Sequence, residues 1–217
     1  QHFAVFPFYN RANELELVKC RDIENKANMF TRSVVKDAKP MLLWGQQAIF
    51  AEETIPNDLC ITEGEIDALT LADLGFHAVS VPYGAKFSKN AGDPIHADNP
   101  NNGWLEHDTE WLDSVGKIYL ALDADESGRL ATAAILPRLG AEKCMQVDFP
   151  ATYKDANGCA LAGVDVYPLF KNARNADPAD LRRPSDFEQE IWEEFYPVDG
   201  IIPGDETDDS VSGFVRT

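Results

Sequence analysis

The chain has 217 residues, of which 44% are hydrophobic, and a net charge of −18, which suits one domain with an appended segment. It contains no apolar run near the ~20 residues that a membrane span needs, and its start, QHFAVFPFYN, lacks both the features of a signal peptide and an initiator Met. We therefore expect a non-membrane protein that is a fragment or a processed product. The four scattered cysteines, without a C-x-x-C pair, predict reduced thiols in a cytoplasmic protein.

The acidic charge is unevenly distributed. Residues 1–50 carry seven Lys and Arg against five Asp and Glu, whereas residues 51–160 carry seven against nineteen. A solvated acidic surface accounts for many of these acids. The clearest basic cluster lies near the N-terminus and consists of Lys19, Arg21, Lys26 and Arg32.

The first segment, residues 1–56, has the alternation and turn residues of β-strands. FAVFPFY, LELVKCRD and MFTRSVV are separated by the polar stretches NRANE and ENKAN. This pattern predicts a small, mainly antiparallel β subdomain that carries the basic cluster. Alternation places Lys19 and Arg21 on one face, which is either a solvated strand face or a binding face.

Residues 57–163 alternate between strand and helix, which predicts a parallel α/β sheet. The expected strands are Leu59–Thr62, Ala78–Val81, Lys117–Leu122 and Cys144–Phe149. A helix follows the first strand, another contains Trp104 and Leu112, and a third runs from Arg129 to Leu139. The polar loop 86–103 has no role that the sequence reveals.

Residues 164–217 have the composition of a linker with one amphipathic helix. Ser185 and Glu188 form a capping box, and Phe187, Ile191 and Phe195 recur at helical spacing. The helix either packs back on the domain or meets a neighbouring domain or subunit.

Acidic side chains follow the predicted parallel strands at the edge where ligands bind in such sheets. Glu63 follows the first strand, Asp123 and Asp125 follow the third, and Asp155 lies in the loop after the fourth. Carboxylates forced together repel one another unless a cation offsets their charge, and Mg²⁺ prefers such hard oxygen ligands. A D-x-D pair alone is more often just a polar loop, but together with the upstream E-G turn it is more specific.

These motifs resemble a known family. TEGEID and LDADESGR are similar to the TOPRIM domain of primases, topoisomerases and some nucleases. TEGEIDALTL, SVPYGA, LDADESGR and YKDANGC, with VKCRDIENKANMF upstream, resemble the primase half of phage-type bifunctional DNA primase–helicases, the Twinkle-like family. The resemblance covers about residues 3–165, and the tail resembles the linker that leads toward a helicase domain.

The resemblance implies a site for Mg²⁺ or Mn²⁺ and a set of nucleotide contacts. Glu63, Asp123, Asp125 and Asp155 would be the catalytic and metal-binding acids. Lys19, Arg21 and Lys26 would hold nucleoside triphosphates or the template, and Arg129 and Lys154 would lie close to the phosphates. We also expect the N-terminal sheet to present its basic face to the acids.

The implied activity is that of a DNA primase, a nucleotidyltransferase that makes RNA primers on a single-stranded DNA template. The implied partners are ribonucleoside triphosphates, a helicase domain or subunit, and a separate zinc-binding module, because the 217 residues contain neither that module nor a Walker A motif. Two alternatives stay open: a TOPRIM nuclease or topoisomerase, and a non-priming module that supports a replicative helicase.

Overall fold

The computed structural model describes residues 2–25, 27–52, 54–84 and 103–176. Lys26, nearly all of the loop 86–103 and the tail helix expected near residues 185–195 lie outside the described residues. None of the helices in the described ranges has the length and apolar character to cross a membrane.

The N-terminal part forms a three-stranded antiparallel sheet in which the middle strand is β2. Its strands are β1 (Phe3–Tyr9), β2 (Leu15–Asp22) and β3 (Met29–Ser33). These strands match the three predicted apolar stretches, because alternation gives each strand one face that can be buried.

The second sheet has five strands, in the order β5-β4-β6-β7-β8. They are β4 (Asp58–Thr62), β5 (Ala78–Ser80), β6 (Lys117–Ala121), β7 (Cys144–Gln146) and β8 (Arg174–Asn175). The first four are parallel, and β8 pairs antiparallel with β7 at the edge. The predicted fold class, a parallel-dominated α/β sheet preceded by a small antiparallel sheet, is confirmed.

Six helices accompany the two sheets within the described ranges. They are α1 (Gln46–Phe50), α2 (Glu65–Asp73), α3 (Trp104–Leu112), α4 (Glu126–Leu139), α5 (Ala156–Leu161) and α6 (Tyr167–Lys171). Helix α4 begins three residues before the predicted start at Arg129, since the Asp125 side chain caps it by accepting a hydrogen bond from Gly128 N–H at 3.1 Å.

The main core lies on one face of the five-stranded sheet. The fully buried side chains of Leu59, Ile61, Ile118 and Leu120 pack there with helices α3 and α4. Because these strands are covered on both faces, a second cluster around Cys60, Ala121 and Phe149 fills the other side. The four cysteines are free thiols, in agreement with the sequence.

The N-terminal sheet packs on the rest of the domain through an apolar patch and a buried ion pair. Phe6, Phe8 and Leu17 are buried on the inner face of the N-terminal sheet, and Ile66 of α2 packs against them. Further along the same face, Lys19 Nζ lies 2.7 Å from Glu65 Oε1 at the start of α2. This ion pair fixes the N-terminal sheet beside the carboxyl end of β4.

Candidate functional site

Three aspartates converge at the carboxyl edge of the five-stranded sheet. Asp67, Asp123 and Asp155 each offer a carboxylate oxygen, and these oxygens all lie within 4.8 Å of one another. We call these residues the aspartate cluster. All three side chains are partly buried.

Asp123 is placed by strand β6 and by a glycine that allows a tight turn. Thr62 of β4 pairs with Ala121 of β6, so the two parallel strands end at the same edge of the sheet. The residues that follow them, Glu63, Leu122 and Asp123, therefore leave the sheet side by side. A Cβ on Gly128 would lie 1.9 Å from the Asp123 carbonyl oxygen. Only glycine therefore permits α4 to begin so close to the Asp123 backbone.

The other two aspartates are held by backbone N–H donors. Gly158 N–H donates to Asp155 Oδ1 at 2.6 Å, which makes Asp155 the N-cap of α5. Asn157 N–H donates to Asp67 Oδ1 at 3.0 Å, so α5 also anchors the carboxylate of α2. These bonds hold the carboxylates together in spite of their mutual repulsion.

The electrostatics of the cluster favour the arrival of a cation. The pKa of Asp67 is raised from 3.8 to about 6, chiefly by burial and further by the charges of Asp155 and Asp123, while the hydrogen bond from Asn157 N–H opposes the rise. Burial also raises the pKa of Asp123, although Lys154 opposes the rise. Hard carboxylate oxygens in a cleft open to solvent are the ligand set that Mg²⁺ and Mn²⁺ accept, so the residues present fit such an ion.

Lys154 supplies a cation at this edge of the sheet. Its Nζ donates to Asp123 Oδ2 at 2.6 Å and to Asp125 Oδ2 at 3.3 Å. The hydrogen bond with Asp123, stronger than the opposing effect of burial, raises the pKa of Lys154. The Gly128 N–H and Lys154 hydrogen bonds lower the pKa of Asp125 against the opposing effect of its slight burial.

The aspartate cluster borders a cleft of about 720 Å³ that also reaches the N-terminal sheet. Glu63 lies in its wall, where the Thr62 hydroxyl fixes the turn by donating to Gly64 O at 2.9 Å. Gly84 lies beside this carboxylate with φ +69°, a left-handed conformation that favours glycine, and a Cβ there would be in ordinary contact with Glu63 Oε1 at 3.9 Å.

Of the four acids predicted to bind metal, the structure brings Asp123 and Asp155 into the aspartate cluster. In the described part of the chain, Glu63 and Asp125 are not members of that group. Glu63 stays in the same cleft, while Asp125 caps α4 and contacts Lys154. Their assignment as ligands stays a prediction.

The cationic residues that were predicted to bind nucleotides do not all lie in the cleft. Arg21 lines the cleft together with Asp123 and Asp155, as expected for the inner face of the N-terminal sheet. Lys19 also borders the cleft, but it is only 6% exposed and its charge is matched by Glu65. Lys19 therefore links the N-terminal sheet to helix α2 through a buried ion pair, and it stays a candidate phosphate contact.

Arg129 lies elsewhere. Its side chain is exposed, pairs with Glu126 and borders a smaller cavity of about 180 Å³ that contains Asp123, Asp148 and Arg174. In the described residues it does not line the larger cleft. Lys26 lies outside the described residues, so its predicted role stays a prediction.

Sequence reasoning missed Asp67. The sequence feature that indicates its position is its spacing from Glu63. Asp67 follows Glu63 by four residues and lies in the first turn of a helix that starts just after β4 ends. A side chain one turn into such a helix points back toward its N-terminus and thus toward the strand edge.

Comparison with known proteins identifies the class. Residues 60–160 match a family model described as Toprim-like, so the part of the chain that carries the aspartate cluster is a Toprim-like domain.

The relatives narrow this class. The chain is 31% identical to the Twinkle homolog protein, chloroplastic/mitochondrial, of Arabidopsis thaliana over 93% of its length, and 29% identical to the Primase homolog protein of the same plant over 82%. It spans only 31% and 51% of the length of these two proteins.

A solved structure supports the same relationship. The primase fragment of the bacteriophage T7 primase–helicase protein aligns with a TM-score of 0.57 and 28% identity, over 75% of this chain and 59% of that one. The resemblance seen in the motifs is confirmed: the chain carries a Toprim-like domain related to those of phage and Twinkle-like primase–helicases.

Proposed function

We propose that this chain is the RNA-polymerising core of a DNA primase, which joins ribonucleotides on a single-stranded DNA template. The observation that carries the proposal is the cleft in which the aspartate cluster and Arg21 lie together, because priming needs a metal site and a phosphate contact side by side. The names of the relatives support this reaction class and a helicase as the neighbouring domain or subunit.

In this proposal Asp67, Asp123 and Asp155 hold Mg²⁺ or Mn²⁺, and Glu63 and Asp125 complete the acidic site. The bound ion would lower the pKa of the attacking 3′-hydroxyl and neutralise charge on the triphosphate. Glu63 lines the cleft, and in this proposal its carboxylate would accept a proton from a bound hydroxyl or water.

The cationic residues would position the nucleotides. Arg21 borders the cleft and forms no ion pair within the described part of the chain, so its guanidinium is available to a triphosphate or to the template. Lys154 is close enough to the acids to serve a phosphate oxygen there. Three further cations would make weaker phosphate contacts: Lys19, Lys26 and Arg129. Lys19 would do so only where a phosphate competes with Glu65 for its ammonium.

The test is incubation of the chain with ribonucleoside triphosphates, Mg²⁺ and a pool of single-stranded DNA templates. We expect labelled dinucleotides and short RNA products in the presence of both template and metal, and none with Asp123→Asn. A parallel reaction with labelled DNA and Mg²⁺ but no triphosphates separates synthesis from cleavage. DNA cleavage without synthesis would favour the nuclease alternative, and neither activity would favour the non-priming, helicase-supporting alternative.

A further inference from the structure

The Lys154 ammonium lies where it must compete with a metal ion. It is 2.6 Å from Asp123 Oδ2, and Asp123 also contributes an oxygen to the aspartate cluster. A divalent ion bound by this cluster and the Lys154 ammonium would therefore draw on the same carboxylate.

We propose that Lys154 is a displaceable internal cation: it neutralises Asp123 and Asp125 in the metal-free chain, and metal binding releases its ammonium into the cleft. This inference rests on the proposed metal-dependent function but concerns the regulation of metal affinity, which is measurable without primer synthesis.

Three of the carboxylates are anchored by the backbone, whereas the Lys154 side chain is free to move when a metal ion binds. Asp155, Asp67 and Asp125 are each fixed by a backbone N–H donor, from Gly158, Asn157 and Gly128 respectively. The Lys154 backbone is also fixed, because its carbonyl accepts from Ala124 N–H at 2.7 Å. Its side chain is 51% exposed, however, and is held in place by its hydrogen bonds to Asp123 and Asp125.

The charge balance explains the purpose of such a cation. Without metal, Asp67, Asp123, Asp125 and Asp155 would repel one another in a partly buried place, and one ammonium reduces that repulsion. With a divalent ion present the ammonium is no longer needed there. Lys154 also lines the larger cleft with Arg21, so its released ammonium can meet a nucleotide phosphate.

The first experiment measures Mn²⁺ binding by electron paramagnetic resonance, without nucleotide or template, for the wild type, Lys154→Met and the control Lys171→Met. Lys171 is an exposed residue in the last turn of α6, so the control removes the same charge away from the cleft. We expect Lys154→Met to bind Mn²⁺ about ten-fold more tightly, because the ion no longer has to replace a charge-assisted hydrogen bond to Asp123. The control should change affinity less than about two-fold, since exposed charges interact weakly.

The second experiment uses the wild-type chain and is independent of the folding of a variant. Lysine acetylation by an N-hydroxysuccinimide ester is followed at each site by mass spectrometry, with and without Mg²⁺. We expect Mg²⁺ to accelerate acetylation of Lys154 several-fold and to leave Lys171 unchanged, and added ATP to slow it again.

Each result decides one part of the proposal. Unchanged or weaker Mn²⁺ binding by folded Lys154→Met, an absence of Mn²⁺ binding in both proteins, or a Lys154 acetylation rate that Mg²⁺ does not raise would overturn the displacement. Failure of ATP to slow the reaction would overturn the transfer of the ammonium to phosphate. Loss of priming with both expected results intact would reject the proposed function alone.

Discussion

The aspartate cluster should destabilise the metal-free protein at neutral pH, and Asp67→Asn is the change that measures this cost. The folded-state pKa of Asp67 is raised from 3.8 to about 6, chiefly by burial. Stability from this group is therefore fully present below pH 3.8 and is lost as the pH rises through about 6.

The magnitude follows from that difference in pKa. At 1.36 kcal/mol per pKa unit, the rise from 3.8 to about 6 corresponds to about 3 kcal/mol at pH 7.5. Asn has nearly the same shape, and its side-chain oxygen can still accept the Asn157 N–H bond. We therefore expect Asp67→Asn to raise the free energy of unfolding by up to about 3 kcal/mol at pH 7.5 and by about half as much at pH 5.

The assay is urea unfolding of the chain in EDTA at several pH values, followed by circular dichroism. Asp73→Asn is the matched control, because Asp73 is the exposed last residue of the same helix. Addition of Mg²⁺ should stabilise the wild type more than Asp67→Asn, since ligands stabilise the state that binds them. An Asp67→Asn gain that is absent, or equal at pH 5 and pH 7.5, would refute the reasoning.

Three further substitutions test the supports of the site. Gly128→Ala, whose Cβ would meet the Asp123 carbonyl oxygen at 1.9 Å, should cost at least about 2 kcal/mol in urea unfolding, whereas Gly103→Ala meets only a flexible Met side chain and should cost less than about 1 kcal/mol. Equal costs would contradict the close approach. Lys19→Met should lower the free energy of unfolding by about 3–5 kcal/mol, because it leaves Glu65 buried without a partner. The double variant Lys19→Met with Glu65→Gln should recover most of that loss. A double variant no more stable than Lys19→Met would show that the ion pair does not have this role. Asp123→Asn should not lower the thermal midpoint, because burial raises the pKa of this carboxyl too, and it should lose Mn²⁺ binding in a titration; retained binding would remove Asp123 from the ligand set.

The fold was predictable because its signals are local. Alternation in the first segment and strand–helix alternation after residue 57 recur as the two sheets of the structure. Strand β8 was missed because Arg174–Asn175 is a two-residue edge strand whose pairing depends on β7 and not on its own sequence. Likewise α5 and α6 are five or six residues long, too short for a helical period to appear.

The site was predictable only in part, because the sequence indicates strand ends but not distances between them. Asp123 and Asp155 follow strands and were identified, whereas Asp67 reaches the cluster from within α2. Lys19 shows a similar limit: alternation placed it on the same face as Arg21, but its pairing with Glu65 depends on how the N-terminal sheet meets α2.

The location of the metal is the most direct test of the account. Crystals grown with Mn²⁺ and measured near the manganese absorption edge would show the ion by its anomalous scattering. We expect a peak within bonding distance of Asp67, Asp123 and Asp155, with the Lys154 ammonium withdrawn from Asp123. A peak held by Glu63 and Asp125 without Asp67, or no peak at this edge of the sheet, would contradict it.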